Sequence, residues 1–91
     1  MTTYAHKAII CNDNGLHARP AGKIVGIANQ YNDCEIQIIN GDRPADARSI
    51  IALMTLTASC GTEVTVSADG DKAEEAVQAI VSLIEGGFEE T

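Results

Sequence analysis

The 91-residue chain has no tryptophan, one phenylalanine and two tyrosines. So few rings leave no platform on which bases could stack, and the core must be built from Ile, Val, Leu and Ala. Basic residues are scarce too: six Lys and Arg against thirteen Asp and Glu give a formal net charge of −7, which repels a polyphosphate backbone at long range. Both shortages argue against nucleic-acid binding. Apolar runs are only a few residues long, far from the roughly 20 that a bilayer span requires, so no membrane span is expected. The first eleven residues, with Lys7 in mid-segment, lack the pattern of an export signal. Cysteine occurs in an odd number, and Cys11, Cys34 and Cys60 are widely spaced with no CxxC pair. That fits neither a disulfide scaffold nor a zinc cage. Each thiol is expected to be a small buried or half-buried hydrophobe in a reducing cytoplasm, and no metal or other cofactor is expected.

A chain this short feeds one core, so residues 1–91 form a single domain. Tyr4 to Cys11 reads as a strand closed by the turn signal Asn12-Asp13-Asn14-Gly15. Pro20 fits the first turn of a helix whose stripe is Ala21, Ile24, Val25, Ala28 and Tyr31, running to about Gln30. Gly22 and Gly26 each cost that helix about 1 kcal/mol relative to Ala, which close packing against the sheet would offset. Cys34 to Ile39 alternates as a strand, and Asn40-Gly41 supplies the two left-handed residues of a type I′ hairpin. The returning strand, Asp42 to Ala45, contains Pro44 and so belongs at a sheet edge. Ile50 to Leu56 reads as one or two turns of helix with Ser49 as N-cap, or else as a buried loop. Thr62 to Ala68 alternates as the last strand. Asp71 with Glu74 reads as a capping box for a long helix with Ala73, Ala76, Val77, Ile80, Val81 and Ile84 on one face. Phe88 to Thr91 reads as a short acidic tail that frays. The order β-α-β-β-α-β-α, with strands polar on one side, is α+β: an open antiparallel sheet covered by helices on one face.

One constellation stands out for chemistry. In Gly15-Leu16-His17-Ala18-Arg19-Pro20, His17 falls at a helix start, where unpaired N–H groups and the positive end of the macrodipole favour an anion. Imidazole is nucleophilic near neutral pH without an activating base, and Arg19 offers a planar fork of donors for phosphate oxygens. Taken alone, the pair reads better as an exposed histidine beside a surface arginine; its context is what favours chemistry. His6, on the first strand, reads as an ordinary surface residue.

Residues 15–21, Gly-Leu-His-Ala-Arg-Pro-Ala, resemble the active-site signature of HPr, the histidine-containing phosphocarrier of the phosphoenolpyruvate-dependent phosphotransferase system. Ala47-Arg48-Ser49-Ile50-Ile51 matches the family's regulatory-serine segment, and length, element order and final helix agree along the whole chain. The resemblance implies an open-faced β-sandwich of four antiparallel strands and three helices that acts as a relay rather than an enzyme. It implies that His17 takes a phosphoryl group, at Nδ1 in the family, from the phosphorylated first enzyme of the system and passes it to a IIA-type acceptor. Arg19 would be the anion partner and the Ala18 and Arg19 amides the backbone donors. Ser49 is both a helix cap and, by resemblance, a site for a dedicated ATP-dependent serine kinase. Ile50, Ile51 and Met54 are a candidate docking patch, or else core. Only Lys23 remains of the lysines that relatives often carry on the first helix. The ending Ile84-Glu85-Gly86-Gly87-Phe88-Glu89-Glu90 resembles carriers of the nitrogen-related branch, while the signature fits the sugar branch equally. A monomer is expected. Two rivals remain open: a regulatory module of the same fold that binds partners without accepting phosphate, and a small thiol-dependent or metal-binding protein.

Overall fold

Alternation of apolar and polar residues decides the architecture. In the computed structural model, which describes residues 2–89, the chain runs β1 (Thr3–Ile9), α1 (Ala18–Ala28), β2 (Glu35–Asn40), β3 (Arg43–Asp46), α2 (Ile50–Thr55), β4 (Glu63–Asp69) and α3 (Ala73–Glu85), closing with a turn at Gly87–Glu89. The strands form one sheet in the order β1-β4-β2-β3, antiparallel at every pairing. Val64, Val66 and Ala68 of β4 and Ile36 and Ile38 of β2 are buried on one face, while Glu35, Gln37 and Glu63 are exposed on the other. Helix α3 packs across β1 and β4, α2 lies against β3, and α1 touches both helices. The fold class and element order are therefore those expected. Pro44 sits on β3 at the sheet edge, where its missing N–H costs no ladder bond.

Several local expectations give way to tertiary structure. Asn40 is not in the hairpin turn: it pairs with Arg43 as the last residue of β2, and its side-chain amide donates to the Leu56 carbonyl at 2.9 Å. Gly41 and Asp42 make the turn, and of these only Gly41 has a positive φ, +66°, the arrangement of a type II′ rather than a type I′ turn. The Asp71–Glu74 capping box does not form either. A turn in which the Ala73 amide donates to the Gly70 carbonyl delays α3, so Lys72 occupies the cap position without a side-chain bond. Helix α1 runs to Ala28 and continues as tight turns in which the Gln30 and Tyr31 amides donate to the Ile27 and Ala28 carbonyls, close to the expected end; the Arg48 guanidinium donates to the Ala28 and Tyr31 carbonyls, both at 2.8 Å.

Gly22 and Gly26 do not permit close packing on the sheet. A Cβ at either position would meet nothing within 4 Å, so their helix-weakening effect has no packing reason in this fold. Cys34 is buried as expected, but Cys11 and Cys60 are exposed, and all three are free thiols. The end of the chain also departs from expectation. Phe88 is fully buried as part of the hydrophobic core, so the only phenylalanine anchors the segment read as a fraying tail. The rest of that tail, residues 90–91, lies outside the described residues.

Candidate functional site

The residues around His17 are held by backbone contacts on two sides. The Leu16 amide donates to the Ala58 carbonyl at 2.8 Å, joining this loop to the segment that follows α2. Asn12, 5% exposed, donates from Nδ2 to the Gly15 carbonyl at 2.8 Å, and the Gly15 amide donates to the Asn12 carbonyl at 3.1 Å. Gly15 has φ +66°, and a Cβ there would stand 2.4 Å from the Ala58 oxygen and 2.8 Å from the Ser59 Cα. Only glycine satisfies both the dihedral and the space. The turn signal at residues 12–15 was visible in the sequence; the inward role of Asn12 was not, because nothing local distinguishes it from its exposed neighbours Asp13 and Asn14.

His17 is the N-cap residue of α1, in extended backbone conformation (φ −92°, ψ −168°), half-buried, and its ring makes no capping bond to its own helix. Its carbonyl accepts the first intrahelical bond, from the Ala21 amide at 3.0 Å. Pro20 has no N–H, so the first-turn amides without an intrahelical acceptor are those of Ala18 and Arg19. The Arg19 side chain is exposed and lines an open groove of about 500 Å³ with Cys11, Asn12, Asp13, Asn14, Lys23 and Glu89. His17 and Arg19 thus share one helix start, together with the backbone amides of Ala18 and Arg19, although His17 does not line that groove. Helix dipole, guanidinium and amides together can hold an oxyanion in solvent-screened contact without enclosing it. His6 is exposed in β1, with Nδ1 2.8 Å from the Lys7 carbonyl and no helix start beside it. Among the described residues, no cluster of His, Cys, Asp and Glu could hold a metal ion.

Ser49 caps α2: its Oγ accepts from the Ala52 amide at 3.1 Å. Leu53 alone of that helix is buried, whereas Ile50, Ile51 and Met54 are 41%, 77% and 42% exposed, so the patch is surface and not core. The far end of α2 is tied down by residues the sequence reading did not single out. The Arg43 guanidinium donates to the Thr55 carbonyl at 2.7 Å, and Asn40 to that of Leu56. A hairpin side chain reaching a helix end 12 residues away leaves no periodic signal in sequence.

Comparison with known proteins assigns this arrangement to a class. Residues 4–86 match the family model described as PTS HPr component phosphorylation site. The chain is 37% identical to phosphocarrier protein NPr of Shewanella violacea, covering 99% of this chain and 98% of that protein. It is 40% identical to phosphocarrier protein HPr of Pseudomonas aeruginosa, over 89% and 90% of the two chains. The crystal structure of HPr from Thermoanaerobacter tengcongensis superposes with a TM-score of 0.86 at 38% identity, covering 100% of this chain and 99% of that one. The chain belongs to the HPr family of phosphocarrier proteins of the phosphotransferase system.

Replacing Gly15 with Ala tests how far the site depends on its backbone. Strain at positive φ and the collision with Ala58 should together destabilise the fold by more than about 1 kcal/mol, and amide resonances of residues 15–18 and 57–59 should shift together. A Gly15→Ala protein with parental stability and an unchanged spectrum would show that the loop contact is dispensable.

Proposed function

We propose that this chain is a cytoplasmic, monomeric phosphocarrier of a single HPr-like domain. His17 accepts a phosphoryl group from the phosphorylated first enzyme of the phosphotransferase system and passes it to a IIA-type acceptor. The observation that carries this reading is the position of His17: an N-cap residue whose ring is not used in capping, two residues before an exposed arginine. On loading, the bond between phosphorus and the donor breaks as a bond from phosphorus to a ring nitrogen of His17 forms; on delivery, that phosphorus–nitrogen bond breaks as a bond from phosphorus to the acceptor forms. The protein turns over no substrate of its own and needs no metal for this role.

Arg19 neutralises charge on the moving group, and the Ala18 and Arg19 amides orient its oxygens. The site's openness suits a carrier, because a deeply enclosed phosphoryl group could not be handed on. Ile50, Ile51 and Met54 form an apolar surface on which donor and acceptor dock. Ser49 borders that surface, and its modification by an ATP-dependent serine kinase would add negative charge where partners approach.

Incubation with purified first enzyme and labelled phosphoenolpyruvate should give one acid-labile, alkali-stable phosphate per chain. His17→Ala should abolish it and His6→Ala should not. Label retained in His17→Ala would remove that residue from the relay, and a chain that never takes label would be a partner-binding regulator.

Arg19→Ala should fold normally, since the side chain is exposed, but transfer more slowly. Loss of one charge-assisted contact to a partly exposed phosphate costs on the order of 1.5–3 kcal/mol, or roughly 10- to 100-fold in rate if the contact is made mainly in the transition state. Equal single-turnover rates for variant and parent, with both donor and acceptor, would exclude Arg19 from the site.

Substitutions at Ser49 separate capping from docking. Ser49→Asp keeps an N-cap acceptor and adds charge, so stability should hold while transfer from the first enzyme weakens. Ser49→Ala should lose about 1 kcal/mol of stability and transfer normally. Undiminished transfer by Ser49→Asp at low ionic strength, where repulsion is least screened, would leave Ser49 a cap alone.

A further inference from the structure

The last described residues adopt a backbone that L side chains rarely take. Gly87, Phe88 and Glu89 have φ values of +69°, +57° and +62° in succession, so two non-glycine residues are held in the left-handed region. Strain of this kind persists only where the surroundings over-determine it, and here two anchors are present. The Phe88 ring is fully buried in the core. Lys23, on α1, donates from its ammonium group to the Phe88 carbonyl and stands 3.7 Å from the Glu89 carboxylate. Core burial fixes the ring, and the Lys23 contacts fix the Phe88 carbonyl and the Glu89 side chain. Their result is that Glu89 lines the groove that Arg19 and Lys23 also line. A carboxylate of the chain's own thus sits with the two cations nearest the helix start of His17.

We propose that Lys23 is a positioning residue, a latch holding the C-terminal turn so that Glu89 joins Asp13 as a resident anion of the groove, and that a phosphoryl group on His17 competes with Glu89 for the same positive field. The inference rests on the reading of His17 as phosphoryl acceptor. With the latch closed, the groove's positive charge is partly neutralised before phosphorylation, which weakens its hold on an incoming phosphoryl group. Glu89 is 81% exposed in its side chain, so the competition is a modest, salt-screened effect.

Phosphoramidate tests this without any partner protein. A ring nitrogen of His17 attacks phosphorus, the P–N bond of phosphoramidate breaks, and the nitrogen leaves as ammonia with a proton. At about 0.01 M ionic strength Glu89→Gln should be phosphorylated about two- to fivefold faster than the parent, and the difference should vanish near 1 M, where the screening length is about 3 Å. Glu85→Gln, which removes the same charge outside the groove, should match the parent. The Glu89 amide, which donates to the Gly86 carbonyl, should exchange with solvent faster in Lys23→Met and remain protected in Lys23→Arg. Phosphorylation of Glu89→Gln at the parental rate, acceleration equal to that of Glu85→Gln, acceleration that survives high salt, or an amide still protected in Lys23→Met would overturn the latch while leaving the carrier reading intact. A parent that takes no phosphate, or takes it equally in His17→Ala, would overturn both.

Discussion

The approach of Gly15 to the Ala58 carbonyl is the contact on which the candidate site depends. A strand end, a helix start and the segment after a second helix converge there, and they converge through backbone atoms. Side chains can be re-packed by small rotamer changes, whereas a Leu16–Ala58 backbone bond fixes where α1 begins. With that start fixed, His17 has no choice of cap geometry and Arg19 must emerge from the first turn. The geometry of the candidate site is thereby set by turn chemistry more than by the core, which supplies only the platform beneath.

Charge is distributed in a way the net value conceals. Residues 15–32 contain Arg19 and Lys23 and no acidic residue, and residues 47–62 contain Arg48 and none either. All thirteen carboxylates therefore fall outside the loop and helix that begin at His17 and outside the α2 segment. An overall charge of −7 disfavours polyanions at a distance. Within a screening length of about 8 Å in physiological salt, however, the local field decides whether a phosphoryl group is tolerated. In space, Arg19 and Lys23 share their groove with the Asp13 and Glu89 carboxylates, so the field there is far closer to balanced than that of the whole chain.

How much of this was legible in the sequence follows from the range of each interaction. Periodicity gave α3 and its six buried positions, since amphipathicity is a local property that burial only amplifies. The edge placement of Pro44 was readable because a missing N–H is intrinsic to the residue. His17, Arg19 and the Ser49 cap could be located because each belongs to a short motif. The failures share a cause in partners distant along the chain. Asn40 reaches the Leu56 carbonyl, Arg48 reaches the carbonyls at the end of α1, and Phe88 joins a core built from residues far from it in sequence. In the last case the acidic neighbours set the expectation, although one large apolar ring is enough to anchor a chain end.

Helix α2 shows how these long-range contacts bear on function. Six residues are too few for a helix to persist in isolation, since lengths below about 12–15 are marginal in water. Within the helix only Leu53 is buried, joined by the buried C-cap Leu56. Ser49 at one end, with Arg43 and Asn40 at the other, supply polar partners for the orphan groups that a short helix has in excess. Because polar caps replace apolar burial, Ile50, Ile51 and Met54 are released from the core and left at the surface. A helix stabilised by its ends can expose an apolar face that a helix stabilised by packing would have to hide.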